Sequence, residues 1–182
     1  MELSDEAIVA DVVNGNREVF RLLIDRHKRR VSGLGHSFFH DTDEVADFVQ
    51  DVFLKAFRSL PQFQKRARFS TWLYRIAYTS ALNRLNRRKE YKSLSENDYE
   101  SAYRTPEEDH IKALLRDAVR QAVTELPEKY RICVDLFFFY DRSYSEIEMI
   151  TGYPVNTIKS HVFRAKKLLR EKLEGFVEGS IL

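Results

Sequence analysis

An apolar repeat between Val45 and Phe57 constrains this chain more than any other feature. Its hydrophobic residues are Val45, Phe48, Val49, Val52, Phe53, Ala56 and Phe57. Steps of three and four place them on one face of an α-helix, and that face must be buried. Asp41-Thr42-Asp43-Glu44 ahead of it has capping-box character, and Leu60-Pro61 ends it. The opposite face shows Asp47, Gln50, Asp51, Leu54 and Arg58.

A second repeat lies between Arg68 and Lys92. Leu73, Ile76, Ala77, Ala81 and Leu85 recur at helical steps, Ser70 is placed to cap the start, and Arg84, Arg87, Arg88, Lys89 and Lys92 load the end. Phe69, Trp72, Tyr74 and Tyr78 crowd its beginning, behind a basic loop running from Phe63 to Arg68. Aromatic faces beside cations suit unstacked bases whose phosphates need neutralising. Charge is segregated in the same region. Residues 62–92 hold nine Lys/Arg against one acid, whereas residues 41–51 hold five acids and no base. Two partners of different character are expected, one anionic and one basic or polar.

The flanking segments are helical too. Ser4 caps a helix over Asp5 to Val13 that Gly15 ends. Asn16 caps a second, carrying Val19, Phe20, Leu22, Leu23 and Ile24, which continues or restarts through Gly33 and Gly35. His36 and His40 would share a face as a possible metal pair, but two histidines without further ligands favour no metal. Ser93 to Thr105 is polar and acidic and reads as a flexible linker. Thr105-Pro106-Glu107-Glu108 then opens a helix with Ile111, Leu114, Leu115, Ala118, Val119, Ala122 and Val123 inward. Leu126-Pro127 breaks it, and another helix is expected over Glu128 to Tyr140, with Cys133 as a small core residue. Ser143-Tyr144-Ser145-Glu146 forms a further capping box. A short helix with Tyr144, Ile147 and Ile150, a turn at Gly152, and a helix with Ile158, Val162, Ala165, Leu168 and Leu169 inward make a helix-turn-helix. Residues 155–172 hold six Lys/Arg and one acid, which suits a DNA major groove.

The 182 residues, with only 6 Gly and 4 Pro and no convincing strand alternation, predict an all-α chain of two small helical domains. The expected division is residues 1–92, linker 93–105 and 106–182. One cysteine excludes an internal disulfide framework. The start lacks a secretory pattern, and no apolar stretch approaches the roughly 20 residues of a membrane span, so a soluble cytoplasmic protein is expected. No catalytic constellation or cofactor-binding motif is visible, so neither an enzyme nor a cofactor is expected.

Three stretches resemble extracytoplasmic-function (ECF) sigma factors, which bind bacterial RNA polymerase and direct it to promoters. F-S-T-W-L-Y-R-I-A, followed by Asn83 and an Arg-Arg pair, is similar to the family's segment that opens the −10 element. D-E-V-A-D-F-V-Q-D-V-F-L-K-A-F is similar to its helix that docks on the β′ clamp coiled coil of core polymerase. S-Y-S-E-I-E-M-I-T-G-Y-P-V-N-T-I-K-S-H-V-F-R-A-K-K-L-L-R is similar to its −35 reader. The resemblance implies polymerase docking through Asp47, Gln50, Asp51 and Leu54. It implies −10 contacts from Phe63, Lys65, Arg66, Arg68, Phe69, Trp72, Asn83, Arg84, Arg87 and Arg88. It implies −35 contacts from Asn156, Thr157, Lys159, Ser160, His161, Phe163, Arg164 and Lys167, with Asn156 and His161 departing from the common pattern. Promoter DNA and an anti-sigma protein are the further partners it implies.

Two other readings compete. A helix-turn-helix regulator acting without polymerase would explain Ser143 to Leu173 but not the acidic helix or Trp72 with its neighbours. A metal enzyme built on His36, His40 and Asp41 would explain neither.

Overall fold

The computed structural model describes residues 3–39, 41–92 and 118–179. The first helix, α1 (Asp5–Val13), starts where Ser4 Oγ accepts from Ala7 N at 3.2 Å. It ends ahead of Gly15, whose φ of +109° is open to glycine and costly to other residues. Asn16 does not cap the next helix with its side chain. A 3₁₀ turn, Arg17–Val19, intervenes, and α2 (Phe20–His36) follows it. Neither Gly33 nor Gly35 breaks α2. Gly35 instead lies close against α3 (Thr42–Ser59). A Cβ on Gly35 would lie 2.9 Å from Phe48 Cδ1 and 3.1 Å from Val45 Cγ1.

Asp41 Oδ1 accepts from Glu44 N at 2.8 Å and so caps α3. The stripe is buried as the repeat demands: Phe48, Val52 and Ala56 are fully enclosed, with Val45 and Phe53 close behind. Phe20 from α2 meets the Phe57 ring edge-on at 5.0 Å, and Phe39 meets Phe48 at 5.3 Å. A 3₁₀ turn at Leu60–Gln62 turns the chain toward α4 (Phe69–Lys92), which packs on both α2 and α3. Truncating one of the enclosed leucines here, such as Leu23 or Leu73, costs about 2–5 kcal/mol. A polar cluster holds α1 on this core. Buried His27 donates from Nε2 to Asp5 Oδ2 at 2.6 Å, and Arg26 donates to Asp5 Oδ1 at 3.0 Å and to the Leu3 carbonyl at 2.7 Å.

The described residues divide into two compact units, one of residues 3–92 with 149–152 and the other of residues 118–148 with 153–179. In the second, residues 118–124 form α5, and Pro127 precedes α6 (Glu128–Val134). The helix expected over Glu128 to Tyr140 has that extent but not a uniform winding. Its last stretch, Asp135–Phe139, is a π-turn, with Tyr140 N donating to Asp135 O at 3.1 Å and Arg142 N to Leu136 O at 2.9 Å. Then α7 (Tyr144–Thr151) opens on the expected box. Glu146 N donates to Ser143 Oγ at 3.2 Å, and Ser143 N donates to Glu146 Oε2 at 3.0 Å. Gly152, at φ +78°, turns the chain into α8 (Val155–Gly179). A core of Leu126, Val134 and Ala165, flanked by Tyr130, Leu168 and Leu169, joins α6 to α8. His40, the linker 93–105 and the helix start from Thr105 through Leu115 lie outside the described residues.

Candidate polymerase and nucleic-acid interfaces

Because α3 buries one stripe, its other face is fixed outward. Asp47 and Gln50 are exposed, and Leu54 is 46% exposed among them. Asp51 accepts from Lys55 Nζ at 2.7 Å, and the same ammonium reaches Ser80 Oγ on α4 at 3.1 Å. Positions 47, 50, 51 and 54 follow helical neighbour spacing, so the four predicted residues form one patch. An apolar side chain ringed by two carboxylates and an amide fits a partner helix bearing cations around a hollow. Lys55 was not anticipated, although its place one turn after Asp51 is a readable signal.

On α4 the inward and outward rows separate the predicted residues. Lys65, Arg66 and Arg68 of the loop are exposed, and Lys65 adopts φ 54°. Trp72 and Phe63 are half-buried, 5.2 Å apart. Phe69, by contrast, has no exposed surface; it packs under Phe63, Trp72 and His27 and offers no face to a base. Tyr74 and Tyr78 are core residues for the same reason: with Leu73, Ala77 and Ala81 they face α2 and α3. Nor does Ser70 hold the cap position of α4, since it is already the second helical residue. The first helical bond runs from Trp72 N to Arg68 O, and Phe69 N donates to Glu6 Oε1 at 3.3 Å.

Farther along, Asn83 and Arg87 are exposed. Arg84 and Arg88 turn toward the start of α3. Arg84 Nη1 donates to the Glu44 carbonyl at 3.1 Å with its guanidinium 5.7 Å from the Phe39 ring centre, and Arg88 Nη1 lies 3.0 Å from Glu44 Oε2. The outward row is Arg75, Thr79, Asn83 and Asn86, beside Arg87. Arg75, Thr79 and Asn86 were missed by the sequence reading, and helical stepping from Asn83 would have found them.

The outer face of α8 is polar with one large exception. Asn156, Lys159, Arg164 and Lys167 are exposed, Thr157 and Ser160 partly so, and Phe163 is 71% exposed. Two cations are tethered: Arg164 Nη1 stands 3.5 Å from Tyr130 Oη, a long contact, and Lys167 lies 3.9 Å from Glu171. His161 departs from its expected place on this face. It is buried, with Nδ1 3.7 Å from Cys133 Sγ and its ring beside Tyr130 and Tyr153. It therefore reads no base in this arrangement. Burial holds its pKa below the ordinary value, and Lys129 and Arg164 push the same way. Burial also pushes the Cys133 thiol up to about 12, so it stays an inert core group.

Two family models match these surfaces: sigma-70 region 2 over residues 23–91 and sigma-70 region 4 over residues 116–169. The chain is 32% identical to the ECF RNA polymerase sigma-E factor of Haemophilus influenzae, over 95% of this chain and 97% of that one. It is 34% identical to the RNA polymerase sigma-H factor of Pseudomonas aeruginosa, over 93% and 94%. The chain belongs to the ECF RNA polymerase sigma factors. As such it is a factor for promoter-specific transcription initiation. The reading as a regulator acting without polymerase is not favoured, since it leaves the region 2 match unexplained.

Solved structures share the sigma factor's fold. The sigma factor RpoE bound to the anti-sigma factor NepR, from Bartonella quintana, superposes with a TM-score of 0.72 at 23% identity, covering 85% of this chain and 96% of that one. CnrH in complex with the cytosolic domain of CnrY gives 0.69 at 23% identity, covering 94% and 97%. The region 2 match takes in the α3 patch and α4, and the region 4 match takes in the outer face of α8. Among the described residues, no group of three or more His, Cys, Asp or Glu side chains is placed to hold a metal ion. None of their helices is long and apolar enough to cross a membrane.

Proposed function

We propose that this sigma factor grips core RNA polymerase through Asp47, Gln50, Asp51 and Leu54, reads −35 duplex DNA with α8, and captures unpaired −10 bases along α4. The observation that carries the reading is the outward patch on α3. Leu54, 46% exposed among Asp47, Gln50 and Asp51 on a helix whose other face is enclosed, leaves an apolar centre with a polar rim open to a partner. Cationic residues of the β′ clamp coiled coil fit it. Asn156, Lys159, Ser160, Phe163, Arg164 and Lys167 supply the duplex contacts, with a guanidinium for guanine and an apolar ring for the thymine methyl. Lys65, Arg66, Arg68 and Arg87 draw the backbone of the melted strand, while Phe63 and Trp72 offer ring faces and Asn83 offers an amide to a base edge. The polymerase then holds the duplex open with that binding energy, and no catalytic step is assigned to the chain.

The domain division follows as residues 1–92 and 106–182 joined by 93–105, so that one unit spans −10 and the other −35. An anti-sigma partner is proposed on the strength of solved relatives named as complexes with such proteins. The site of action is the cytoplasm, with the polymerase.

The test is binding to purified core polymerase. Asp51→Arg with Gln50→Ala places a like charge against the partner helix, which costs several kcal/mol. In the free protein it replaces a half-exposed i,i+4 ion pair with Lys55 by a like-charge pair, a change of about 0.5–1 kcal/mol in all. Polymerase affinity should fall at least a hundredfold while the melting temperature drops only a few degrees. Affinity within threefold of wild type would refute the docking assignment.

A further inference from the structure

Arg84 and Arg88 lie one turn apart on α4, and both end on Glu44. The Glu44 carbonyl accepts from Arg84 at 3.1 Å, and its carboxylate, only 18% exposed, pairs with Arg88 at 3.0 Å. Glu44 is itself fixed: its backbone N–H is held by Asp41 at 2.8 Å, in the first turn of α3. Arg84 is held a second time, over the ring of enclosed Phe39. Arg87, on the adjoining face of the same turn, is exposed.

We propose that Glu44 is a selectivity residue for the strand-capturing face of α4, standing in for a phosphate and competing with one for Arg88, whose side chain is 40% exposed. A guanidinium pairs with a carboxylate and with a phosphate in the same forked geometry, so the two compete for it directly. Phosphate contacts strengthen binding to any sequence alike, whereas base contacts discriminate. Withdrawing Arg88 from the backbone lowers sequence-blind affinity. Asn83 and its neighbours are left to decide which strand is kept. The brace also fixes α4 against α3, which holds the outward row in register. This inference rests on the proposed strand-binding role of α4 and refines it.

The experiment measures binding of the full chain to a fluorescent oligo-dT strand by anisotropy, between 50 and 200 mM KCl. Each phosphate contact to a single strand contributes about 0.7 to the logarithmic salt slope, or about 2.6-fold over that range. Arg87→Ala should reduce the salt sensitivity by that factor. Arg88→Ala should leave it unchanged. Glu44→Ala should raise it by about 2.6-fold and tighten binding at 50 mM. Asp43→Ala, which removes an exposed acid from the same turn, controls for bulk charge and should move the slope far less.

Equal flattening by Arg87→Ala and Arg88→Ala would overturn the inference while leaving α4 as the strand-binding helix. So would equal steepening by Asp43→Ala and Glu44→Ala. No flattening by Arg87→Ala would overturn the strand-binding reading, and the inference with it. If Glu44→Ala melts below the assay temperature, the comparison of Arg87→Ala with Arg88→Ala decides alone.

Discussion

Replacing Gly35 with alanine tests the seam that holds the α3 patch in place. The new Cβ would stand 2.9 Å from Phe48 Cδ1, 3.1 Å from Val45 Cγ1 and 3.3 Å from Phe48 Cε1. Ordinary carbon contacts lie at about 3.5–4.0 Å, so more than half an ångström must be found. Phe48 has no exposed surface and Val45 is 2% exposed, so neither ring nor branch can swing into solvent. Overpacking of this kind costs about 1–3 kcal/mol. Against it, alanine gains about 1 kcal/mol in helix propensity over glycine within α2. The net expectation is a loss of up to about 2 kcal/mol, and a unit of this size then melts several degrees lower, about 4–8 °C per kcal/mol. The assay is thermal unfolding followed by circular dichroism, with urea unfolding as a second measure. Below its melting point the variant should still bind core polymerase, because the patch faces away from the seam. A melting temperature above wild type by several degrees would refute the reasoning, since it would mean that helix propensity is gained with no overpacking between α2 and α3 at Gly35.

Acid should weaken the second unit through His161. Its folded pKa lies below the ordinary 6.5, so the unfolded chain binds the proton first. The stabilisation from the neutral ring is complete above about 6.5 and is lost as pH falls below that value; urea midpoints between pH 7.5 and 5.5 should decline, and less steeply for His161→Gln. Arg164→Ala should weaken −35 duplex binding and relax discrimination at one base by about 1–3 kcal/mol, whereas Lys167→Ala should weaken all sequences alike and flatten the salt slope. Competition binding against single-base variants separates the two. Asn83→Ala should leave duplex −35 binding intact but reduce permanganate reactivity of −10 thymines on a cognate promoter; a wild-type footprint would remove Asn83 from the site.

What the sequence revealed followed from period. The α3 stripe, the cap at Asp41, the box at Ser143–Glu146 and the turn at Gly152 all stand where spacing put them, because each depends on residues within one helical turn. The α4 helix was harder. Its aromatics suggest a platform for bases, yet Phe69, Tyr74 and Tyr78 are enclosed. Both α2 and α3 pack on the first half of α4, and among residues 69–81 only Arg75 and Thr79 are exposed, so a single stripe underestimates the core. Arg84, Arg88 and His161 were placed by residue type instead of by step. Arg84 and Arg88 continue the inward row of Ala77 and Ala81. His161 falls between Ile158 and Ala165, on the buried row of α8. Helical stepping alone puts all three on the core-facing row, whereas their residue types suggest exposure. The π-turn at Asp135–Phe139 left no such signal, since its winding depends on bonds from Tyr140 and Arg142 that no local pattern announces.

The two proposed reading helices share a design that follows from these misplacements. Each carries polar groups on the row that faces its own unit and satisfies them there: Glu44 takes Arg84 and Arg88, and Cys133 stands against His161. The outward rows, from Arg75 to Asn86 and from Asn156 to Lys167, are what remains for nucleic acid. Counting charge along the chain therefore overstates the electrostatic reach of the first helix. Nine Lys/Arg lie between residues 62 and 92, but two of them, Arg84 and Arg88, already bond to Glu44. Affinity that depends less on phosphate depends more on base edges and ring faces, and those distinguish sequences where charge does not. A chain that must reject most DNA gains from committing cations internally, and the brace at Glu44 does this without lengthening the helix or adding acids to its reading face.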